Sequence, residues 1–232
     1  MPIDLENQKS VIVDGVTYKY SADWIYSLET EIHWRLYWRQ QKLMENLVLP
    51  GHTVLEIGVG SGFTANYLRS KNVSVTTLDI DEDKAPDIVA NIVEYDFQIK
   101  YDHLAFEVFE HIPFDKFKEV LHRLANVARR YLFMSVPQND RILVDFSLKL
   151  PKIKQVRFNI TVPRRQITTP HHCWEVNCPP IKKATMENAL SNAGFEICRQ
   201  DKAFSRLFLA LQPIASVTVA QPGARCFLGR EN

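Results

Sequence analysis

The chain has 232 residues, 46% of them hydrophobic and 24% charged, with a formal net charge of +1. That length and composition suit a folded core needing no disulfide or metal staple, and argue against long disordered tracts. The near-zero charge gives no global attraction to nucleic acid or an anionic membrane, and no apolar run is long enough to cross a bilayer.

Residues 1–20 read as a polar lead-in with a short strand or hairpin around 11–16. The first residues carry neither a basic nor an apolar leader. The four cysteines, Cys173, Cys178, Cys198 and Cys226, all fall in the last quarter of the chain. The expectation is therefore a soluble, cytoplasmic protein with reduced thiols. Apolar residues recur at helical spacing over 22–47, predicting a helix or helix pair that Pro50-Gly51 ends. Its aromatics Trp34, Tyr37 and Trp38 either line a pocket or pack in the core.

Beyond Gly51 strands and helices alternate. Residues 53–57, 73–78, 87–93, 101–108 and 131–136 read as strands, with helices through about Ser70 and over 114–129. A further helix is expected over 182–193, followed by strands at 195–199 and 206–211. These last two are too close for a parallel crossover and should pair as an antiparallel hairpin. The predicted fold is α/β: a doubly wound, mostly parallel seven-stranded sheet, Rossmann-like, with a terminal antiparallel hairpin and an N-terminal helical extension. It is read as one domain: a helical cap (1–49), a cofactor-binding core (50–137), a substrate-side insertion (138–180), a final helix and hairpin (181–212) and a tail (213–232).

The strongest chemical signal is Glu56-Ile57-Gly58-Val59-Gly60-Ser61-Gly62. Closely spaced glycines at a strand end let a ligand approach the backbone, and the N–H groups at the following helix start favour a polar or anionic group. The Gly-x-Gly-x-Gly spacing differs from that of dinucleotide enzymes. A carboxylate at Glu56 suits an ammonium-bearing ligand and would repel a pyrophosphate. A tight structural turn is the plainer reading. Asp79 ends the second strand, 23 residues after Glu56, near the offset at which nucleotide-binding folds place an acid on ribose hydroxyls. It is otherwise a turn residue.

Val54–Gly62 resembles the first motif of class I S-adenosylmethionine-dependent methyltransferases, and Leu78-Asp79-Ile80-Asp81 the second. Tyr101–Phe114, containing Glu107-Val108-Phe109-Glu110-His111, is similar to the fourth-strand motif of the subgroup whose strand ends Glu-Val-Leu-Glu-His. Tyr131–Pro137 is similar to that subgroup's fifth strand. The resemblance implies S-adenosylmethionine as cofactor. Glu56, Gly58 and Gly60 would hold its methionine end, with Gly62 also cofactor-binding in the same loop, Asp79 would take the ribose hydroxyls and Ile80 would lie against the adenine. Asn91-Ile92 stands where the family often has an acid at the adenine edge. Glu107 would face the methyl donor.

Methyl transfer needs a base only when the acceptor must lose a proton. His111 is the first candidate, then His171 or His172, each of which is equally read as a hydrogen-bonded structural histidine. His171, His172 and Cys173 lack a second ligand pair at metal spacing, so no metal is expected. Residues 138–180 should lie at the acceptor side. They hold Arg141, Lys149, Lys152, Lys154, Arg157, Arg164 and Arg165 against Asp140, Asp145 and Glu175, an excess of four positive charges. This is either a basic lid over an anionic acceptor or a loop covering the sheet edge. The function expected is methyl transfer to O or N of a small-molecule, sugar or lipid-linked acceptor. The rivals are a non-catalytic scaffold of the same fold, an RNA or protein methyltransferase, and an NAD-dependent oxidoreductase, which the Glu56 carboxylate disfavours.

Overall fold

A computed structural model describes residues 12–13, 16–17, 30–148 and 156–214. Strands β1 (Ile12–Val13) and β2 (Val16–Thr17) pair antiparallel, within the stretch expected to form a short strand or hairpin. Helix α1 (Glu31–Met44) realises the described part of the expected 22–47 helix; residues 22–29 lie outside the described ones. The chain continues as β3 (Thr53–Ile57), α2 (Phe63–Ser70), β4 (Ser74–Asp79), β5 (Ile88–Val89), β6 (Tyr101–Phe106), α3 (Phe114–Val127) and β7 (Ala128–Pro137). Next come β8 (Asp140–Leu148) and β9 (Val156–Pro163). Then α4 (Lys183–Asn192), β10 (Phe195–Ala203) and β11 (Arg206–Pro213) complete the order.

Seven strands form one sheet in the order β10-β11-β7-β6-β3-β4-β5. The five strands from β7 to β5 run parallel; β11 pairs antiparallel with β7, and β10 with β11. The predicted terminal hairpin is therefore present. Strand order reverses on either side of β3, and this switch point opens a crevice at the strands' C-terminal ends.

Alternation along each strand sorts side chains to the two faces. On one face Leu55, Ile57, Leu132, Met134, Leu207 and Leu209 pack with Phe117, Val120, Leu121 and Leu124 of α3 and with Met186 and Leu190 of α4. On the other, Val54, Val75, Leu104, Phe133 and Phe208 pack with Leu36, Leu43 and Met44 of α1 and with Ala65 and Leu68 of α2. The result is a three-layer sandwich that fixes the strand ends relative to one another.

Two expectations need correction. The third core strand, expected over 87–93, is only two residues long: before it Asp87 ties its side chain to β4, Oδ2 accepting the Thr77 N–H at 2.8 Å and the Thr77 hydroxyl at 2.9 Å, and after it Asn91 closes a turn. The 138–180 insertion is not merely loop, since β8 and β9 form a long antiparallel hairpin. Val144 opposes Ile160 and Phe146 opposes Phe158, and all four are exposed, so one apolar face of this hairpin points outward. Among the described residues no helix is long and apolar enough to cross a membrane.

Candidate active site

Glu56 sits at the penultimate position of β3, 5% exposed, with Oε2 making no hydrogen bond. Burial pushes its carboxyl up to about 8; the Arg69 charge and the Ala65 backbone N–H oppose this only in part. Gly58 follows at φ +79° and donates its N–H to the Leu78 carbonyl at 2.8 Å. A Cβ here would stand 2.5 Å from Val108 Cγ2, so only glycine fits between the loop and the end of β6.

Asp79, at the end of β4, is woven into the same loop. Its Oδ2 accepts the Val59 N–H at 2.8 Å and its Oδ1 the Asp81 N–H at 2.9 Å. Lys84 adds an ion pair at 3.2 Å in a setting only 9% and 4% exposed. After β5, Asn91 Oδ1 accepts the Val93 N–H at 3.0 Å and closes a turn. Arg123 of α3 holds that turn from outside, donating to the carbonyls of Ile92 (3.0 Å), Val93 (2.7 Å) and Tyr95 (2.9 Å).

Past β6 the chain reverses at Glu107, φ +56°, a conformation that a glutamate holds only with outside support. Ser135 Oγ donates to Glu107 Oε1 at 2.7 Å and Arg206 Nε to Oε2 at 2.6 Å. The turn Phe109–His111 then brings in Glu110 and His111. Glu110 is fully buried and neither carboxyl oxygen has a hydrogen-bond partner. Burial, with the Glu107 charge adding to it, holds its carboxyl well above the usual range. Burial lowers His111 to about 4, opposed by the hydrogen bond between its Nδ1 and the His171 carbonyl at 3.1 Å.

The segment around Cys173 docks along this turn. The Cys173 N–H donates to the Glu110 carbonyl at 2.7 Å and Trp174 Nε1 to the Ile112 carbonyl at 3.1 Å. It places the His172 ring 5.3 Å from that of His111. His172 Nδ1 lies 2.7 Å from Glu175 Oε1, and the same carboxylate accepts from the Thr168 N–H (2.8 Å), the Thr168 hydroxyl and Asn139 Nδ2. Burial alone would raise Glu175; these hydrogen bonds outweigh it and hold the carboxyl down to about 2.

These strand ends enclose a cavity of about 320 Å³. Of the residues expected from the sequence, Glu56, Gly58, Gly60, Asp79, Ile80, Asn91, Ile92, Glu107, His111 and His172 line it. Gly62 and His171 do not. Gly62 instead caps α2 in the left-handed conformation, and His171 contributes its backbone carbonyl rather than its ring.

Of the basic residues of 138–180, Arg141, Arg164 and Arg165 lie off the cavity wall, while Lys149, Lys152, Lys154 and the Arg157 side chain fall outside what is described. Of the insertion, His172 alone among the described residues reaches the wall. Among the described residues, the lysine and arginine on the wall, Lys84 and Arg206, are both paired with carboxylates.

Sequence reading missed Lys84, Arg206 and Glu110 as lining groups, and His33, Leu36 and Gln40 of α1. Of the α1 aromatics, Tyr37 lines the cavity and its hydroxyl meets Ser61 Oγ at 2.9 Å; Trp34 and Trp38 are half exposed and do not line it. The helical spacing did place Leu36, Tyr37 and Gln40 within one turn, which was the available signal.

No protein-family profile and no curated protein matches the sequence. Solved structures do. The magnesium protoporphyrin IX methyltransferase ChlM of Synechocystis PCC 6803, with bound S-adenosylmethionine, aligns at TM-score 0.52 and 18% identity over 78% of this chain and 79% of that one. The DhpI complex with S-adenosylmethionine aligns at TM-score 0.56 and 13% identity over 83% and 92%. The N-methyltransferase NodS of Bradyrhizobium japonicum WM9, in complex with S-adenosyl-L-homocysteine, aligns at TM-score 0.56 and 9% identity over 81% and 90%. At these identities the likeness establishes the fold: this chain has the α/β fold of the class I S-adenosylmethionine-dependent methyltransferases.

Proposed function

We propose that the protein is an S-adenosylmethionine-dependent methyltransferase acting at O or N of a small-molecule, sugar or lipid-linked acceptor. The observation that carries this reading is the convergence on one cavity of Glu56, the glycine loop, Asp79, Asn91 and Glu107, drawn from four successive strand ends. The residues fit the cofactor chemically. Glu56 offers a buried carboxyl oxygen with no partner, a complement for an ammonium group. Gly60 has no atom within 4 Å of where a Cβ would lie, leaving room for a ligand against the backbone. The Asp79 carboxylate, held by two backbone N–H groups, is set to accept hydroxyl donors.

When bound, S-adenosylmethionine supplies an electrophilic methyl group on a sulfonium. The chain's own part is alignment and exclusion of water. Tyr37 and Gln40 of α1 form one wall and Glu107 and His111 another, so the acceptor enters toward the His111–His172 end. With a pKa lowered to about 4, His111 is a weak base near neutral pH, and serves better as a lone-pair donor than as a proton carrier. The 1–49 segment acts as a cap through α1, and residues 138–180 contribute to the acceptor end through His172.

The test is calorimetric titration of S-adenosylmethionine and S-adenosylhomocysteine into wild type and Asp79→Ala. The expected result is binding to wild type that the variant weakens at least tenfold, about 1.4 kcal/mol. Failure of folded, ligand-free wild type to bind either compound overturns the reading and favours a scaffold.

A further inference from the structure

The acceptor end of the cavity holds a cluster that cofactor binding leaves unused. Glu110 is fully buried, yet neither of its carboxyl oxygens is hydrogen-bonded, and it faces the cavity. A buried carboxyl without partners is costly unless a cation completes it. One donor atom from each of Glu110, His111 and His172 lies within 4.8 Å of the others.

Both imidazoles are oriented from behind. His111 Nδ1 meets the His171 carbonyl at 3.1 Å, and His172 Nδ1 meets the Glu175 carboxylate at 2.7 Å. An Nδ1–H donated to those oxygens makes Nε2 the lone-pair nitrogen of each ring, the arrangement found behind metal-binding histidines. Glu175 is itself fixed by Thr168 and Asn139, so the orienting group is rigid. Glu107 stands apart from the set, because Ser135 and Arg206 engage its carboxylate.

We propose that Glu110, His111 and His172 form a binding site for a divalent first-row transition cation, with its remaining coordination positions open to the cavity. Two imidazoles and one carboxylate suit zinc, iron, cobalt or manganese better than calcium or magnesium, which prefer oxygen donors throughout. A metal site at His171, His172 and Cys173 is not expected from the sequence for want of a second ligand pair; here only His172 of that trio takes part, and its companions Glu110 and His111 lie some sixty residues earlier in the chain. What the cation does rests on the methyltransferase reading. There it polarises an acceptor hydroxyl, whose proton leaves to solvent, and the acceptor is narrowed to an oxygen nucleophile.

The experiment uses the full chain, stripped with a chelator and titrated with Co²⁺ alone, with and without saturating S-adenosylhomocysteine. The expected result is one Co²⁺ per chain with visible d–d absorption, and two hyperfine-shifted, exchangeable imidazole N–H resonances from the held Nδ1 protons. Glu110→Gln and His172→Asn should each weaken Co²⁺ binding at least tenfold while retaining S-adenosylhomocysteine binding. Absence of Co²⁺ binding, absence of shifted imidazole N–H signals in wild type, or uptake unchanged in both variants overturns the site. The wild-type spectrum decides the matter even if a variant fails to fold. S-adenosylhomocysteine binding without Co²⁺ binding sinks the metal site alone; loss of S-adenosylhomocysteine binding sinks the methyltransferase reading.

Discussion

Arg206 Nε donates to Glu107 Oε2 at 2.6 Å across ninety-nine residues of sequence. The pair ties the first residue of β11 to the reversal after β6, and the Glu107 charge raises the Arg206 pKa above its ordinary value. Because Glu107 sits at φ +56°, its place on the cavity wall depends on this arginine and on the Ser135 hydroxyl.

Arg206→Met should therefore release the Glu107 carboxylate while keeping most of the packing of the arginine stem. The expected stability loss, read by urea denaturation, is ~1–2 kcal/mol, since the pair is partly exposed. S-adenosylhomocysteine affinity should fall as well, with Arg206→Lys recovering only part of it because a lysine lacks the planar fork. Unchanged affinity in Arg206→Met would show that Glu107 holds its position without the pair.

Gly58→Ala faces two separate penalties: the left-handed φ of +79° and the 2.5 Å approach to Val108 Cγ2. The strain costs ~1–3 kcal/mol, with the collision in addition. Val108→Ala in the same chain should remove the collision and leave the backbone term. A double-mutant cycle should thus give a favourable coupling energy without full recovery. Additive effects would place the two residues out of contact.

The Glu56–Asp79 side of this site was legible because its signals are local. Glu56, the glycines and Asp79 occupy strand ends whose apolar runs announce themselves, and the loop needs φ values that glycine alone adopts freely. Glu110, His172 and Arg206 were not legible as partners, because nothing in sequence spacing says that segments about sixty or a hundred residues apart meet. The β8–β9 hairpin was legible and missed. Val144, Phe146 and Leu148 alternate, as do Phe158, Ile160 and Val162, a period of two that charge counting over the same stretch obscured.

Glu175 gives an acid-limb prediction. Its folded pKa of about 2 lies below the ordinary 4.5, so the folded state binds fewer protons than the unfolded chain between these values. Its contribution is present above pH 4.5 and lost as pH falls toward 2. Glu175→Gln sets an amide NH₂ among donors from Thr168, Asn139 and His172, and should cost ~3 kcal/mol near neutrality. The variant's stability should also fall less steeply with acid than that of wild type, as measured by chemical denaturation across that range. Parallel acid profiles would remove Glu175 as the titrating group.

Glu56 gives the opposite sign. Burial raises its folded pKa from 4.5 to about 8, so the folded state keeps a proton that the unfolded chain releases. The stability contributed is full below pH 4.5 and declines as pH rises through 8. Glu56→Gln, which preserves shape and cannot ionise, should abolish that decline. Relative to the variant, wild type should lose on the order of 4 kcal/mol across the window. An ammonium-bearing ligand prefers the ionised carboxylate, so its binding near pH 7 should expel the proton. The calorimetric heat of S-adenosylhomocysteine binding should then vary with the buffer's ionisation enthalpy in wild type and not in Glu56→Gln. A buffer-independent heat in wild type would mean that Glu56 stays protonated in the complex and does not meet the ligand's ammonium group.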